Sequence, residues 1–179
     1  MEILRTFVPS LLAFKFSEDE PDELEKLFDQ WEDPFYLNEF FEENEKDIDI
    51  SIEEAIEKAR SESKFLRKKL INLTASKPIR LNELFKNLNN YEIKPKLLSP
   101  QKAPNRWLRL YAIRIDKNVY IITGGTIKLD GGAIAATKQY RMQDRNHTNE
   151  ELKKINRCRD FLLDEGVIDE ESLNEIFEL

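Results

Sequence analysis

The sequence predicts a single α+β domain, in which a small, mostly antiparallel sheet is preceded by helices and followed by further helices. The first observation is a β-hairpin: runs 107–115 and 119–129 are rich in apolar, aromatic and β-branched residues, and the short polar segment 116–118 joins them. The second is the helical spacing of apolar residues before and after this hairpin. The third is the length, since 179 residues suffice for one proper core but not comfortably for two.

The N-terminal part predicts one strand and two helices. Residues 10–16 alternate between two apolar faces, as expected of a strand. Pro21 is placed for the first turn of a helix, which Pro34 ends or kinks. The apolar stripe of this helix consists of Leu24, Leu27, Phe28 and Trp31. Residues 35–41 begin a second short helix.

A long helix follows. Ser51 and Glu54 form a capping box, and the apolar stripe behind them predicts a helix over residues 52–72. Residues 80–88 predict one or two helical turns with Asn82 as the cap. Residues 89–107 contain three prolines and no periodicity, and predict an extended loop that leads into the hairpin.

Beyond the hairpin, the glycine pair 131–132 predicts a turn and residues 133–140 a third strand. Thr148 and Glu151 form a second capping box, which opens a helix that stops at Gly166. The inner face of this helix is predicted to carry Leu152, Ile155, Cys158 and Leu162. Asp169 starts a last short helix. The domain therefore divides into an acidic helical region (18–72), a basic β-sheet region (94–145) and C-terminal helices (148–179).

Charge is strongly segregated along the chain, although the whole carries only −7. Residues 18–57 hold 18 acidic residues against two lysines, and residues 94–145 hold 11 basic residues against three aspartates. A basic surface of this kind attracts polyanions by steering and counterion release, although the acidic segment would oppose their approach. The alternative is that the two segments neutralise each other in the fold.

Several chemistries lack their sequence signatures. The patterns GxGxxG, GxxxxGK[ST], HExxH and CxxC are absent, so we expect no nucleotide-binding fold, no metal and no cofactor. The single cysteine, Cys158, cannot form an internal disulfide and reads as a core residue in a reducing compartment. No signal peptide or apolar 18-residue run is visible, so we expect a cytoplasmic protein without membrane contact.

The candidate functional residues are the cationic and aromatic side chains around the hairpin. Because side chains two apart in a strand share a face, Trp107, Arg109 and Tyr111 are expected on one side of the sheet, and Arg114 on the other. A guanidinium beside an aromatic ring suits a phosphate next to a stacked base; the alternative is an arginine at the rim or in a salt bridge. The remaining candidates in this set are Lys128, Tyr140, Arg141, Arg145 and His147.

The hairpin sequence RLYAIRID-KNVYIITGGTIK resembles the central strand pair of the RelE/HigB-like bacterial toxins. RLNELFKNL resembles the LxLxxLFKPL segment that precedes these strands in the HigB-like branch, and MQDRNHTNEELKKINRCRDFL resembles the helix after them. The resemblance covers about residues 80–165. It implies a compact α+β fold, a neutralising antitoxin of the helix-turn-helix type, and cleavage of mRNA, on the ribosome in many members, without metal.

Carried over by position, the resemblance implies that Arg109 holds the scissile phosphate, Lys128 neutralises developing charge and Tyr111 supports or stacks. His147, the only histidine, is a candidate proton carrier because its ordinary pKa lies near neutrality; the alternative is an exposed histidine at a helix entry. The expected RNA-binding residues are Trp107, Lys86, Tyr140, Arg141 and Arg145.

The chain departs from this family in two ways. It is acidic and carries the extra acidic helical region, and Asn87 replaces the proline expected after Lys86. Either the acidic region masks the site in cis, or the protein binds a partner instead of cutting RNA. The leading hypothesis is a toxin-like, metal-independent endoribonuclease acting on mRNA. The alternative is a non-enzymatic interaction module of the same fold, which binds a protein through its acidic helices.

Overall fold

The computed structural model describes residues 1–75, 80–88, 98–105, 107–129 and 145–178. Within these ranges the chain forms six strands, six α-helices and one short 3-10 helix at Glu45–Asp47. The strands are β1 (Glu2–Arg5), β2 (Leu11–Lys15), β3 (Lys86–Asn87), β4 (Ser99–Asn105), β5 (Leu108–Asp116) and β6 (Val119–Ile127). The helices are α1 (Glu23–Glu32), α2 (Pro34–Glu43), α3 (Ile52–Ala75), α4 (Leu81–Leu84), α5 (Asn146–Asp164) and α6 (Glu170–Glu178).

The strands form one six-stranded sheet in the order β1-β2-β6-β5-β4-β3. Every neighbouring pair is antiparallel except β2 and β6, which run parallel. The predicted α+β class and the mostly antiparallel sheet are therefore confirmed. The parallel pair requires a long connection between its strands, and the helices α1–α3 lie within that connection.

Each face of the sheet carries its own apolar core. On the first face, α1, α2 and α3 pack against Leu108, Leu110 and Ala112 of β5. On the second face, α5 and α6 pack against Ile113 and Ile115. The alternation predicted for residues 10–16 is confirmed in β2, because Leu11 and Ala13 belong to the first core and Leu12 and Phe14 to the second.

The predicted hairpin is confirmed as β5 and β6, with a turn at Lys117 and Asn118. Its pairing contains an irregularity: Tyr111 lies opposite Gly124, whereas Ala112 lies opposite Ile122. Thr123 is thus the extra residue of a β-bulge. Parallel pairing with β2 covers only Tyr120–Ile122 and ends at this bulge.

The predicted N-terminal helices and the long helix are confirmed. Asp22 caps α1 by accepting from the amides of Leu24 and Glu25, so Pro21 lies one residue before the cap and not in the first turn. The Ser51–Glu54 capping box forms with both of its hydrogen bonds, at 3.0 and 3.2 Å.

Four local predictions require correction. The region predicted as an extended loop contains β4, in which Pro100 and Pro104 lie four residues apart and direct their backbone groups to the same edge. The Pro100 carbonyl accepts from the Leu88 amide, so both proline nitrogens point to the β3 side of β4 and cost no bond to β5. The opening residues form β1, which was not predicted. Asn82 lies inside α4, whose N-cap is Arg80.

The fourth correction concerns α5. The helix begins at Asn146, and Thr148 lies inside it with its hydroxyl bonded to the Arg145 carbonyl, so Thr148 and Glu151 do not form a capping box. Ile155, Cys158 and Leu162 are buried as predicted, Leu152 is only half-buried, and the helix stops at Gly166 with φ 73°. The strand predicted over residues 133–140 lies outside the described residues.

A buried carboxylate connects α3 to the start of the hairpin. Oε2 of Glu62 accepts from the backbone amides of Trp107 and Leu108, at 2.8 and 3.1 Å. Glu62 is only 5% exposed. Since buried amides need acceptors, this contact fixes where β5 begins relative to α3.

We expect Glu62→Leu to lower the free energy of unfolding by about 3 kcal/mol, because two buried amides lose their acceptor. Glu62→Gln should cost less, since its carbonyl oxygen still accepts. Urea unfolding followed by circular dichroism measures both. Glu57→Leu on the same helix is the matched control, because the Glu57 side chain is 74% exposed. Equal losses for Glu62→Leu and Glu57→Leu would contradict the anchoring role.

Candidate functional site

Four cations from neighbouring strands lie on the second face of the sheet. In the pairing register Lys86 of β3 opposes Lys102 of β4, and Lys102 opposes Tyr111 of β5. Arg109 opposes Thr126 of β6. Directly opposed residues share a face. Lys128 follows Thr126 by two residues and therefore returns to the same face. We call Lys86, Lys102, Arg109 and Lys128 the basic strip.

Electrostatics support the closeness of three of these cations. Burial first, and then the charges of Lys128 and Arg109, lower the pKa of the Lys102 ammonium below its ordinary value. Lys102 Nζ donates to the Leu88 carbonyl at 3.2 Å, and Arg109 Nη1 donates to the Leu108 carbonyl at 2.9 Å. Lys86 and Lys128 are exposed, whereas Lys102 and Arg109 are half-buried. The strip thus presents a concentrated positive field at the protein surface.

Tyr111 lies on the same face as the strip, next to Arg109. Its side chain is buried, at 2% exposure. Burial raises the pKa of the Tyr111 phenol far above its ordinary value, against the opposing effect of Arg109. The phenol is therefore protonated at neutral pH and can donate a hydrogen bond.

Trp107 does not lie with Arg109 and Tyr111, so this predicted placement is wrong. It precedes β5 and turns into the first core, where its ring packs on Phe41 at 5.7 Å between centroids. The Lys58 ammonium lies 3.5 Å from the Trp107 ring centroid. Strand alternation does not extend to Trp107 because the residue lies outside the strand, where Glu62 binds its amide.

The other predicted cations have different surroundings. Arg145 is largely buried, pairs with Asp47 at 3.0 Å and donates to the Leu129 carbonyl at 2.9 Å. These contacts favour a structural role for Arg145 at the start of α5. Arg114 donates to the Asp116 carbonyl on the first face, opposite the strip, as expected. Tyr140 and Arg141 lie outside the described residues.

The acidic helices do not lie over the basic strip. Helices α1, α2 and α3 pack on the first face, whereas the strip occupies the second. Two ion pairs connect the acidic region to α5: Glu23–Lys154 at 2.9 Å and Asp47–Arg145 at 3.0 Å. This placement argues against masking of the strip in cis, and it shows partial neutralisation of the two charged segments at Arg145.

The second half of β6 is paired differently on its two edges. The Lys128 amide donates to the Trp107 carbonyl on the β5 side, so by alternation Gly125 and Ile127 direct their polar groups to the other edge. No strand among the described residues pairs there. Two side chains from α5 reach this edge instead: the Ile127 backbone favours the charged form of His147, and the Gly125 amide favours the ionised form of Glu151.

A cavity of about 590 Å³ lies beside this edge, between α1, α2, α5 and β6. Its walls include the aromatic residues Trp31, Tyr36 and Phe40 and the titratable residues Glu23, Lys26, Glu39, Glu43, His147, Glu151 and Lys154. Lys154 is held between Glu23 and Glu151, at 2.9 and 2.7 Å. Although burial disfavours its charge, these two carboxylates raise the pKa of Lys154.

Burial also perturbs the other titratable groups of the cavity. It raises the pKa of the Glu151 carboxyl against the opposing effect of Lys154, and it raises the pKa of the Tyr36 phenol together with Glu151. It lowers the pKa of His147, and Arg145 adds to this effect. His147 is therefore neutral at pH 7. Its ring also packs edge-on against Phe40, at 5.3 Å between centroids.

Sequence reasoning missed Lys102, Glu151, Lys154 and Glu23. Lys102 stands between two prolines in a segment assigned to a loop, so its strand register was not available. Glu151 and Lys154 were one acidic and one basic residue among many on a charged helix. The pairing register of β4 with β5 distinguishes Lys102, and the close approach of α5 to β6 distinguishes Glu151 and Lys154.

The described residues contain no group of three or more histidine, cysteine or acidic side chains that could hold a metal ion. None of the described helices combines the length and the apolarity needed to cross a membrane. Comparisons with protein-family models, curated proteins and solved structures find no match to this chain. The geometry of the strip and the cavity is therefore the basis for a functional proposal.

The lowered pKa of His147 predicts a pH-dependent loss of stability. Below pH 6.5, the ordinary pKa of histidine, His147 binds a proton more readily in the unfolded chain than in the folded chain. The free energy of unfolding therefore falls as pH decreases from about 7. His147→Phe should remove this part of the decrease. Urea unfolding at pH 7.5 and 5.5 compares the two proteins, and the carboxylates they share cancel in the difference.

The chain has one histidine, so its imidazole C2 proton gives a single NMR titration. We expect a midpoint below 6.5. A midpoint at or above 6.5 would show that the ring is solvated, and would contradict its placement against Ile127 and Phe40.

Proposed function

We propose that this protein is a metal-independent endoribonuclease that acts on mRNA, with the basic strip as its phosphate site. The observation that carries the proposal is the convergence on one sheet face of Lys86, Lys102 and Arg109, from three neighbouring strands, and Lys128, directly after β6. Cations placed by a hydrogen-bonded ladder have fixed spacing, which suits a polyanion better than cations on flexible loops. The resemblance of the hairpin to RelE/HigB-like toxins supports the same conclusion.

Binding of a phosphate would relieve the repulsion within the strip. Lys128 and Arg109 each lower the pKa of Lys102, so the three positive charges repel one another. A phosphodiester between them replaces repulsion by charge-assisted hydrogen bonds. The Arg109 guanidinium can bind two phosphate oxygens at once, whereas the lysines contribute point charges.

The reaction we propose is internal transesterification of RNA. The ribose 2′-oxygen attacks the adjacent phosphorus, the bond from phosphorus to the 5′-oxygen breaks, and a 2′,3′-cyclic phosphate forms. The 2′-hydroxyl proton passes to a base, and the departing 5′-oxygen takes up a proton. Arg109 and Lys128 would stabilise the negative charge that develops on the phosphate oxygens.

We assign the proton-accepting role to Lys102. Its lowered pKa gives it a larger deprotonated fraction at neutral pH than an ordinary lysine has, and it lies within the strip. His147 lies beside Ile127 at the opposite edge of β6, away from the strip, so its role as proton carrier stays a prediction. Tyr111 would support the site by donating a hydrogen bond from its protonated phenol.

The proposal includes a cellular setting. The resemblance to RelE/HigB-like toxins places this activity in the cytoplasm of a bacterial cell, with the ribosome as cleavage platform and a helix-turn-helix antitoxin as protein partner. The competing function is a non-enzymatic module that binds a protein through the acidic helices. The observation that favours it is Phe35, an aromatic residue of α2 that is 84% exposed.

Arg109→Ala combined with Lys128→Ala should abolish RNA cleavage and the growth arrest that follows induction, because both phosphate-stabilising charges are lost. A plot of the logarithm of the binding constant against the logarithm of salt concentration should become less steep by about 2. Growth curves, primer extension on transcripts and fluorescence-anisotropy titrations measure these effects. The charge-matched control is Lys68→Ala combined with Lys69→Ala, two exposed lysines on α3.

Unchanged growth arrest in the Arg109 and Lys128 variant would contradict the site assignment. Recovery of a stable protein partner, together with intact RNA at all protein concentrations, would favour the interaction module instead.

The assignment of Lys102 predicts a shift in the pH dependence of cleavage. Lys128→Ala removes a neighbouring cation, so the pKa of Lys102 rises and the pH at which cleavage reaches half its maximum moves upward. Cleavage of a short RNA between pH 6 and 10 measures this. Lys128→Gln should shift the profile in the same direction, whereas the Lys68 and Lys69 control should leave it in place. An unmoved profile in Lys128→Ala would exclude Lys102 as the base.

A further inference from the structure

The cavity on the open side of β6 has a negative field. Four carboxylates line it, against two lysines. Both lysines are already paired with carboxylates: Lys26 lies 2.9 Å from Glu20, and Lys154 lies 2.9 Å from Glu23 and 2.7 Å from Glu151. The field of the cavity therefore disfavours an anion and favours a cation.

One face of α2 supplies two of these carboxylates together with two aromatic rings. Four residues of the helix follow the spacing i, i+3, i+4 and i+7, so they share this face, and all of them line the cavity: Tyr36, Glu39, Phe40 and Glu43. Glu39 and Glu43 are exposed, and neither forms a salt bridge with any residue that the structure describes. The rings of Tyr36 and Phe40 are half-buried. The wall thus alternates aromatic surface with carboxylates whose charge is not balanced by a neighbour.

Carboxylates from two helices converge on the Tyr36 hydroxyl. Burial raises the pKa of this phenol, and the charges of Glu151 on α5 and Glu43 on α2 raise it further, whereas Lys154 opposes them. A charge that shifts a pKa lies close to the group it acts on. The Tyr36 ring therefore stands between the carboxylates of α2 and α5, at the wall of the cavity.

We propose that this cavity binds a small organic cation with an apolar stem, of the alkylguanidinium type. A planar guanidinium stacks on an aromatic ring and donates to carboxylates in its own plane, so a wall of alternating rings and carboxylates suits it. The stem would contact Leu27 and Trp31 of α1, which line the same cavity. A volume of about 590 Å³ falls within the range of small-molecule sites.

Other ligand classes match this lining less well. A phosphate would be repelled, an uncharged molecule would leave the carboxylates unbalanced, and an inorganic cation would leave the aromatic surface in water. No residue of the basic strip lines the cavity, so this inference goes beyond the proposed function and does not depend on it.

A pair of matched probes tests the proposal. n-Butylguanidinium and n-butylurea have the same shape and differ in charge, and both are titrated by isothermal calorimetry at pH 7.5. We expect n-butylguanidinium to bind roughly 10-fold more tightly, because its hydrogen bonds to carboxylates are charge-assisted. Equal affinities of the two probes, or no binding of n-butylguanidinium, would overturn the proposal.

The single histidine locates the bound probe. His147 lines the cavity, so saturation with n-butylguanidinium should shift the NMR signal of its imidazole C2 proton. Binding that leaves this signal in place would show that the probe lies elsewhere, and would also overturn the proposal.

Glu39→Gln combined with Glu43→Gln should weaken n-butylguanidinium roughly 10-fold and leave n-butylurea nearly unchanged. The matched control is Glu42→Gln combined with Glu45→Gln, which removes the same charge from exposed side chains that do not line the cavity. Circular dichroism and thermal unfolding check that both proteins fold. An equal loss in the two double variants would show a general effect of charge and contradict the site.

Substitution of Tyr36 tests the contact with the aromatic ring. Tyr36→Phe keeps the ring and should retain most of the affinity for n-butylguanidinium, whereas Tyr36→Leu should weaken it more than it weakens n-butylurea. Equal affinities in the two variants would contradict the stacked placement of the guanidinium.

The source of the cation and the independence of the two proposals are also tested. Binding of the peptide acetyl-Gly-Arg-Gly-amide without binding of n-butylguanidinium would overturn the small-molecule site in favour of a protein partner. Arg109→Ala combined with Lys128→Ala should leave the affinity for n-butylguanidinium unchanged. RNA cleavage without n-butylguanidinium binding would overturn the cation site alone, and n-butylguanidinium binding without RNA cleavage would overturn the ribonuclease alone.

Discussion

The contact between α5 and the open edge of β6 is the interaction on which the candidate site depends. Pairing with β2 ends at Ile122, and beyond the bulge at Thr123 the outer edge of β6 is met by side chains of one helix. His147 and Glu151 stand one helical turn apart, which matches the two-residue spacing of Ile127 and Gly125 along the strand. The two side chains thus occupy the edge at which a further strand would otherwise pair with β6.

Gly124 and Gly125 allow helices to approach β6 closely, Gly124 on the second face and Gly125 on the first. A Cβ at Gly124 would collide with Glu151 and Lys154 of α5 on the second face. A Cβ at Gly125 would lie 2.6 Å from the Arg109 carbonyl and 2.9 Å from Leu27 of α1 on the first face. Both helices therefore close on the same stretch of strand, and the cavity is the space that remains between them.

Elements with strong local signals could be predicted from the sequence, and the register between them could not. The hairpin, the two faces of residues 10–16 and the Ser51–Glu54 capping box follow from patterns within about 20 residues. The strand β4 escaped prediction because Pro100 and Pro104 read as loop signals, and only the position of β3 shows that their nitrogens cost no ladder bond. Lys102 was missed together with that strand, although Arg109 and Lys128 were selected.

The acidic and basic segments of the sequence occupy different sides of the sheet. The basic segment supplies Lys102, Arg109 and Lys128 to one sheet face, whereas the acidic helices pack on the other and reach around β6 only at its open edge. There their carboxylates, with Glu151, give the cavity an acceptor-rich lining. The cations of the basic strip lie on the β5 side of β6, and carboxylates outnumber lysines on its open side, so the two sides of one strand carry opposite fields. The acidic region approaches the basic segment through the Asp47–Arg145 ion pair and packs its helices on the face opposite the strip, so the fold keeps most of the two charged surfaces apart.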